Sequence, residues 1–155
     1  LWDHAMDLHL KAAYRLAKSL APGMMEQKWG RIINVASVSV REPLGYLALS
    51  NSIRAALVSW AKTLAGDVGP DGVTVNSVLT GYFNTERLKS LNDKKAKTMG
   101  ISPEEVTGRL ISQVPVRRLG KPEEYGYLVT FLASEQAAYL TGTAIPLDGG
   151  LLRSY

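Results

Sequence analysis

The 155-residue sequence predicts a doubly wound α/β domain built on a parallel sheet. Three short β-favouring runs, Ile32–Ser37, Val73–Leu79 and Thr143–Leu147, are separated by segments of helical periodicity. Alternation of this kind is solved by parallel strands joined by right-handed crossovers. The first run is almost continuously apolar, as expected of a strand covered on both faces. Three strands leave a sheet edge unpaired, and no strand–Gly-x-x-x-Gly-x-Gly–helix phosphate turn occurs anywhere. Residues 1–155 are therefore expected to form the carboxy-terminal part of one larger domain, its amino-terminal half absent from this chain.

Each element follows from local chemistry. Trp2, Met6, Leu10, Ala13, Ala17 and Leu20 recur at three and four residues, predicting a helix over Trp2–Leu20 that Pro22-Gly23 stops. After the strand ending at Ser37, Pro43 and Gly45 make Val38–Gly45 a loop. Leu49–Val68 is helical, with Ile53, Leu57, Trp60, Leu64 and Val68 in one stripe and Ala48, Ala55 and Ala56 on a second, small-residue face. Gly69-Pro70-Asp71-Gly72 turns the chain into the second strand. The lysine-rich stretch Leu88–Gly100 reads as mobile connecting structure or a lid. Ser102-Pro103-Glu104-Glu105 and Lys121-Pro122-Glu123-Glu124 have the chemistry of helix starts: proline in the first turn, then acids at the positive end of the dipole.

Composition narrows the function classes. An apolar content of 46% is enough for one domain with a core. The absence of cysteine excludes disulfides and cysteine-rich metal sites and fits a cytoplasmic location. No apolar run is long enough to span a bilayer. The formal charge of +4 is scattered, densest at Lys94, Lys95 and Lys97 without interleaved aromatics, so neither nucleic acid nor membrane is expected as a partner. A serine hydrolase would need a Gly-x-Ser-x-Gly elbow and an acid to orient His9, and the sequence offers neither.

Six motifs in order point further. They are Trp29–Ser37, Gly72–Val78, Thr80–Thr85, Arg118–Glu124, Leu132–Glu135 and Thr141–Gly150. Together they resemble the carboxy-terminal part of the short-chain dehydrogenase/reductase family over nearly the whole chain. Its Gly-Arg-Ile-Ile-Asn strand with terminal serine, its Pro-Gly-x-Ile-x-Thr loop (here with Thr80 and Phe83 as departures) and its Asp-Gly-Gly ending all have counterparts. The resemblance implies a Rossmann-like fold, an NAD(P) cofactor and a small carbonyl or alcohol substrate, as in the family's oxoacyl-thioester and sugar-alcohol reductases. The acid or base that selects between the two dinucleotides lies after a strand this chain does not contain, so NAD and NADP stay undecided.

The resemblance also assigns positions. Counting back from Leu64-Ala65 puts Arg54 at the family's lysine and Ser50 at its tyrosine, with Ser37 thirteen places earlier at its serine. His9, seven places after Trp2, falls at its asparagine. The tetrad thus reads His9, Ser37, Ser50, Arg54 in place of Asn, Ser, Tyr, Lys. Serine is a far weaker acid than a phenol of pKa roughly 10, and arginine keeps the lysine's charge as a planar fork rather than a point donor. Tyr46, four residues before Ser50, is an alternative acid; Tyr82 is a weaker one or a pocket wall. Arg54, Gly81, Phe83 and Thr85 are the implied cofactor contacts, and no metal is called for. Two functions follow: a nicotinamide-dependent oxidoreductase with an atypical active site, or a catalytically impaired member acting as a binding or assembly partner. The resemblance implies a homodimer or homotetramer through Trp2–Leu20 and Leu49–Val68, which carry apolar or small residues on more than one face, with Ile145–Leu152 as a second contact.

Overall fold

In the computed structural model, which describes residues 1–45 and 47–154, strands β1 (Gly30–Ser37), β2 (Val73–Thr80) and β3 (Ala144–Leu147) form one sheet in that order, every pair parallel. This is the expected architecture. The register aligns the carboxyl ends: Ser37 lies opposite Thr80, and Thr80 opposite Leu147. One row of residues across the sheet therefore carries the exits of all three strands.

The amino-terminal helix is longer than its periodicity predicts and is interrupted differently. Helix α1 (Trp2–Met6) passes through a π-helical turn (Asp7–Lys11) into α2 (Ala12–Glu26). Pro22-Gly23 does not stop it. Ala21, Met24 and Met25 pack onto the core, and that packing offsets the hydrogen bond Pro22 cannot donate. A π turn holds an extra residue, which rotates the following face by about 100° relative to the preceding one. Ala17 and Ala21 face inward, whereas Trp2, on the other side of the π turn, is 54% exposed. Leu20, expected on the same buried stripe, lies about 100° from Ala21 around α2 and is equally exposed.

Helix α3 (Ala48–Val68) buries Ile53, Leu57, Ala61, Ala65 and Val68. Trp60 and Leu64, expected in one stripe with Ile53, Leu57 and Val68, pack against a cluster that includes Ala61, Ala65, Val73 and Val75. Two alanines let the helix axis approach β2 closely, so larger neighbours are pushed to its flanks. Leu79 of β2 meets Val58 on this face. Side chains alternate along a strand, so Thr80 points to the other face, where its Oγ1 bonds the hydroxyl of Tyr125 on α6 (Pro122–Ala133) at 3.2 Å. Helices thus cover both faces, and β2 is buried from Val73 to Leu79.

The lysine-rich stretch expected to be mobile is instead a helix, α4 (Glu86–Met99). Thr85 Oγ1 accepts the Leu88 amide at 3.2 Å at its start, and Gly100 ends it in the left-handed region. Asn92 and Ala96 are buried against α5 (Pro103–Gln113), with Asn92 Nδ2 donating to Thr107 Oγ1 at 3.0 Å. The lysines occupy the outer face, which is why composition alone reads as a loop. The two proline-led helix starts are borne out. Ser102 Oγ accepts the Glu105 amide, and Glu124 accepts the Lys121 amide at 2.7 Å while its carboxylate takes two bonds from Arg118. These partners hold the Glu124 carboxyl down to about 2, with the Arg118 bond the larger cause. No helix is long and apolar enough to cross a membrane among the described residues.

Gly72, which admits the chain into β2, has φ +75°, and a Cβ there would sit 2.3 Å from the Lys28 carbonyl oxygen. Gly72→Ala should lower stability by about 1–3 kcal/mol, combining left-handed strain with that clash. Thermal unfolding checks this; an unchanged midpoint would refute the tight apposition of the two turns.

Candidate active site

The carboxyl edge of the sheet gathers the residues of interest. At the end of β1, Ser37 has extended backbone and its Oγ accepts the Ser39 amide at 3.2 Å, starting a single 3-10 turn over Val38–Val40. The hydroxyl proton is left free to donate. Ser50 stands in the first turn of α3 and is half-buried. One turn further on, Arg54 crosses back to the sheet, its Nη1 donating to the Val35 carbonyl at 3.0 Å. That bond anchors the guanidinium two residues before Ser37, and the remaining N–H groups stay available to a ligand. His9 lies in the π-helical turn and is exposed. Partial desolvation of the ring, then the charges of Arg54 and His4, push its pKa below the ordinary imidazole value. Arg54 thus sits within electrostatic reach of His9, and the two helices bring three of the four tetrad positions to one end of the sheet. Tyr46, the alternative acid, lies outside the described residues.

The implied cofactor contacts follow β2. Gly81 passes so close to Asp148 that a Cβ would lie 2.6 Å from the Asp148 Cα, and its amide donates to the Leu147 carbonyl at 3.1 Å. Glycine is required here by close approach. Phe83 pairs with Gly120, its ring lying over that glycine and edge-on to Tyr125 at 5.4 Å. Thr85 is committed to capping α4 through its oxygen, which leaves its O–H proton to donate. Tyr82 is half-buried, and burial raises its pKa. Among the described residues no group of His, Asp or Glu is arranged to hold a metal ion.

Two features escaped the sequence reading. Tyr125, read only as a helix residue, places its hydroxyl on Thr80. Burial raises its pKa, while the Thr80 bond and the Arg54 charge oppose that. The only sequence signal was Thr80 itself, a polar departure at a motif position. The second is Glu42, whose Oε1 accepts the amides of Arg153 and Ser154 at 2.7 and 2.9 Å, and these bonds lower its pKa. No local pattern joins residues so far apart in sequence.

Residues 1–152 match the family model described as enoyl-(acyl carrier protein) reductase. The 3-oxoacyl-[acyl-carrier-protein] reductase of Vibrio cholerae is 38% identical over 152 residues, covering 97% of this chain and 57% of that protein. The acetoacetyl-CoA reductase of Cupriavidus necator is 32% identical, covering 97% and 56%. The crystal structure of L-sorbose reductase from Gluconobacter frateurii, complexed with NADPH and L-sorbose, superposes with a TM-score of 0.92 at 34% identity, covering 99% of this chain and 59% of that one. The chain belongs to the short-chain dehydrogenase/reductase family. It spans less than two thirds of the length of each of these relatives.

Titration of the His9 imidazole by NMR should give a pKa below the ordinary imidazole value. Arg54→Ala should move it upward without restoring it fully, because desolvation is the larger cause. No movement on that substitution would separate the two side chains.

Proposed function

We propose that this chain carries the catalytic portion of a nicotinamide-dependent oxidoreductase that interconverts small carbonyl compounds and alcohols through an atypical active site. The observation that supports it most is the anchoring of Arg54 on the Val35 carbonyl, next to Ser37 at the carboxyl edge of a parallel sheet. Ligands of open α/β sheets bind at that edge.

The residues present suit the nicotinamide end of a dinucleotide. Arg54 spends one nitrogen on the backbone and keeps further donors for ribose hydroxyls. Thr85 keeps its hydroxyl proton, and Gly81 holds the intervening loop close to β3. A reduced nicotinamide held there would supply the hydride. Ser37, already accepting from Ser39, donates its hydroxyl proton as a hydrogen bond to the substrate oxygen, where negative charge develops. The Arg54 charge stabilises the same oxygen through space. Ser50 cannot act as the acid at neutral pH, since an alcohol gives up its proton far less readily than a phenol, so the alkoxide is protonated from solvent.

The same substitution favours a second reading, a member with little catalytic power kept for binding or assembly. A general acid contributes about 10²- to 10⁴-fold, so slow turnover is expected under the first reading and still slower turnover under the second. Full-length protein should bind a nicotinamide dinucleotide and reduce generic ketones slowly. Ser50→Ala should leave that rate nearly unchanged, and Ser50→Tyr with Arg54→Lys should raise it by at least about tenfold. Brisk turnover abolished by Ser50→Ala would overturn this account of the proton, whereas loss of activity in Tyr46→Phe alone would make Tyr46 the acid.

Assembly through α2 and α3 completes the proposal. Leu16 and Leu20 are well exposed, and α3 offers Ala55 and Ala56 outside its innermost stripe. Covering such a face in a second copy removes apolar area from water. Sedimentation should find a dimer or tetramer at micromolar concentration, and a monomer would refute it.

A further inference from the structure

The chain's own carboxy-terminal segment forms one wall of a cleft at the carboxyl end of the sheet. A cavity of about 230 Å³ is lined by Val38, Leu44, Tyr82, Gln113, Leu151 and Leu152 together with the charged side chains Glu42 and Arg153. Val38 directly follows the site serine, and Tyr82 directly follows Gly81. The cavity therefore opens where a substrate held by Ser37 would extend.

Its outer wall is tied down at both ends. Asp148 Oδ1 and Oδ2 accept the amides of Gly150 and Leu152, each at 2.9 Å, which turns the segment after β3. Beyond the turn, Glu42 accepts the amides of Arg153 and Ser154. The loop bearing Glu42 is itself held to the rest of the molecule, by Arg41 Nη2 on the Ala144 carbonyl at 3.0 Å and by Asn51 Nδ2 on the Leu44 carbonyl at 2.9 Å. Wall and loop are thus fastened to each other and to rigid elements.

We propose that Glu42, by clasping Leu151–Ser154 over the cleft, sets a size limit on the substrate and restricts the site to compact aliphatic carbonyl compounds. This rests on the oxidoreductase reading above. Four aliphatic side chains (Val38, Leu44, Leu151 and Leu152) make the lining suited to a hydrocarbon chain. Glu42 spends its Oε1 on two backbone amides, which fixes the carboxylate to the clasp. The volume lies below the roughly 300 Å³ at which sites for drug-sized ligands begin, so a long chain does not fit while the clasp holds.

Ligand-observed NMR titration of the full-length protein with straight-chain methyl ketones from butanone to decanone tests this without requiring turnover. Each buried methylene should strengthen binding about fourfold, and in wild type this gain should stop near hexanone. In Glu42→Ala the gain should continue to the longer ketones, and hydrogen exchange at the Arg153 and Ser154 amides should quicken. Glu42→Gln, which keeps an acceptor for those amides, should retain the wild-type limit. An affinity series that climbs unbroken in wild type, the same limit in Glu42→Ala despite faster exchange, or no ketone binding at all would overturn the clasp. Absence of ketone reduction with the binding limit intact would instead count against the oxidoreductase reading alone.

Discussion

Strand β2 is packed on both faces from Val73 to Leu79, and the parallel register of its neighbours is set against it. Ala61 and Ala65 of α3 reach Val73 and Val75 on one side, and α6 covers the other through Tyr125 and Thr80. A strand buried in this way tolerates no slip, because moving it by one residue would exchange the two sets of side chains between faces. With β2 held, Ser37, Thr80 and Leu147 must fall in one row. Every loop that leaves that row then begins from the same edge.

The chemistry is built from these exits rather than from any single element. Arg54 meets β1 by bonding a carbonyl, so its charge is held by the backbone and does not depend on an acidic partner. Gly81 brings the loop after β2 against Asp148, and Asp148 turns the segment after β3 back over the cleft. Ser50 stands on α3 and contributes nothing to this frame. Scaffold and proton donor are therefore separable here: the first depends on packing, the second on one hydroxyl.

Much of this was legible from the residues in order. The three strands, the turn at Gly72 and the two proline-led helix starts depend on local periodicity and capping, which a one-dimensional reading captures. Other features were misread for identifiable reasons. Pro22 is a helix breaker locally, but Ala21, Met24 and Met25 have a core to join. The segment before Gly100 is lysine-rich, yet Asn92 and Ala96 give it an inward face that α5 covers. Trp2 has the spacing of the buried stripe, but the π-helical turn shifts the face on which it lies.

The strand–helix alternation and the family motifs could be read from the residues alone, because each is a property of residue type and spacing. Only the tertiary structure decided where the arginine fork rests, how Thr80 and Tyr125 join, and that Glu42 meets the amides of Arg153 and Ser154 across more than a hundred residues. Those contacts are between groups distant in sequence. Their existence depends on how the packed sheet brings its exits together, and no periodicity along the chain encodes that distance.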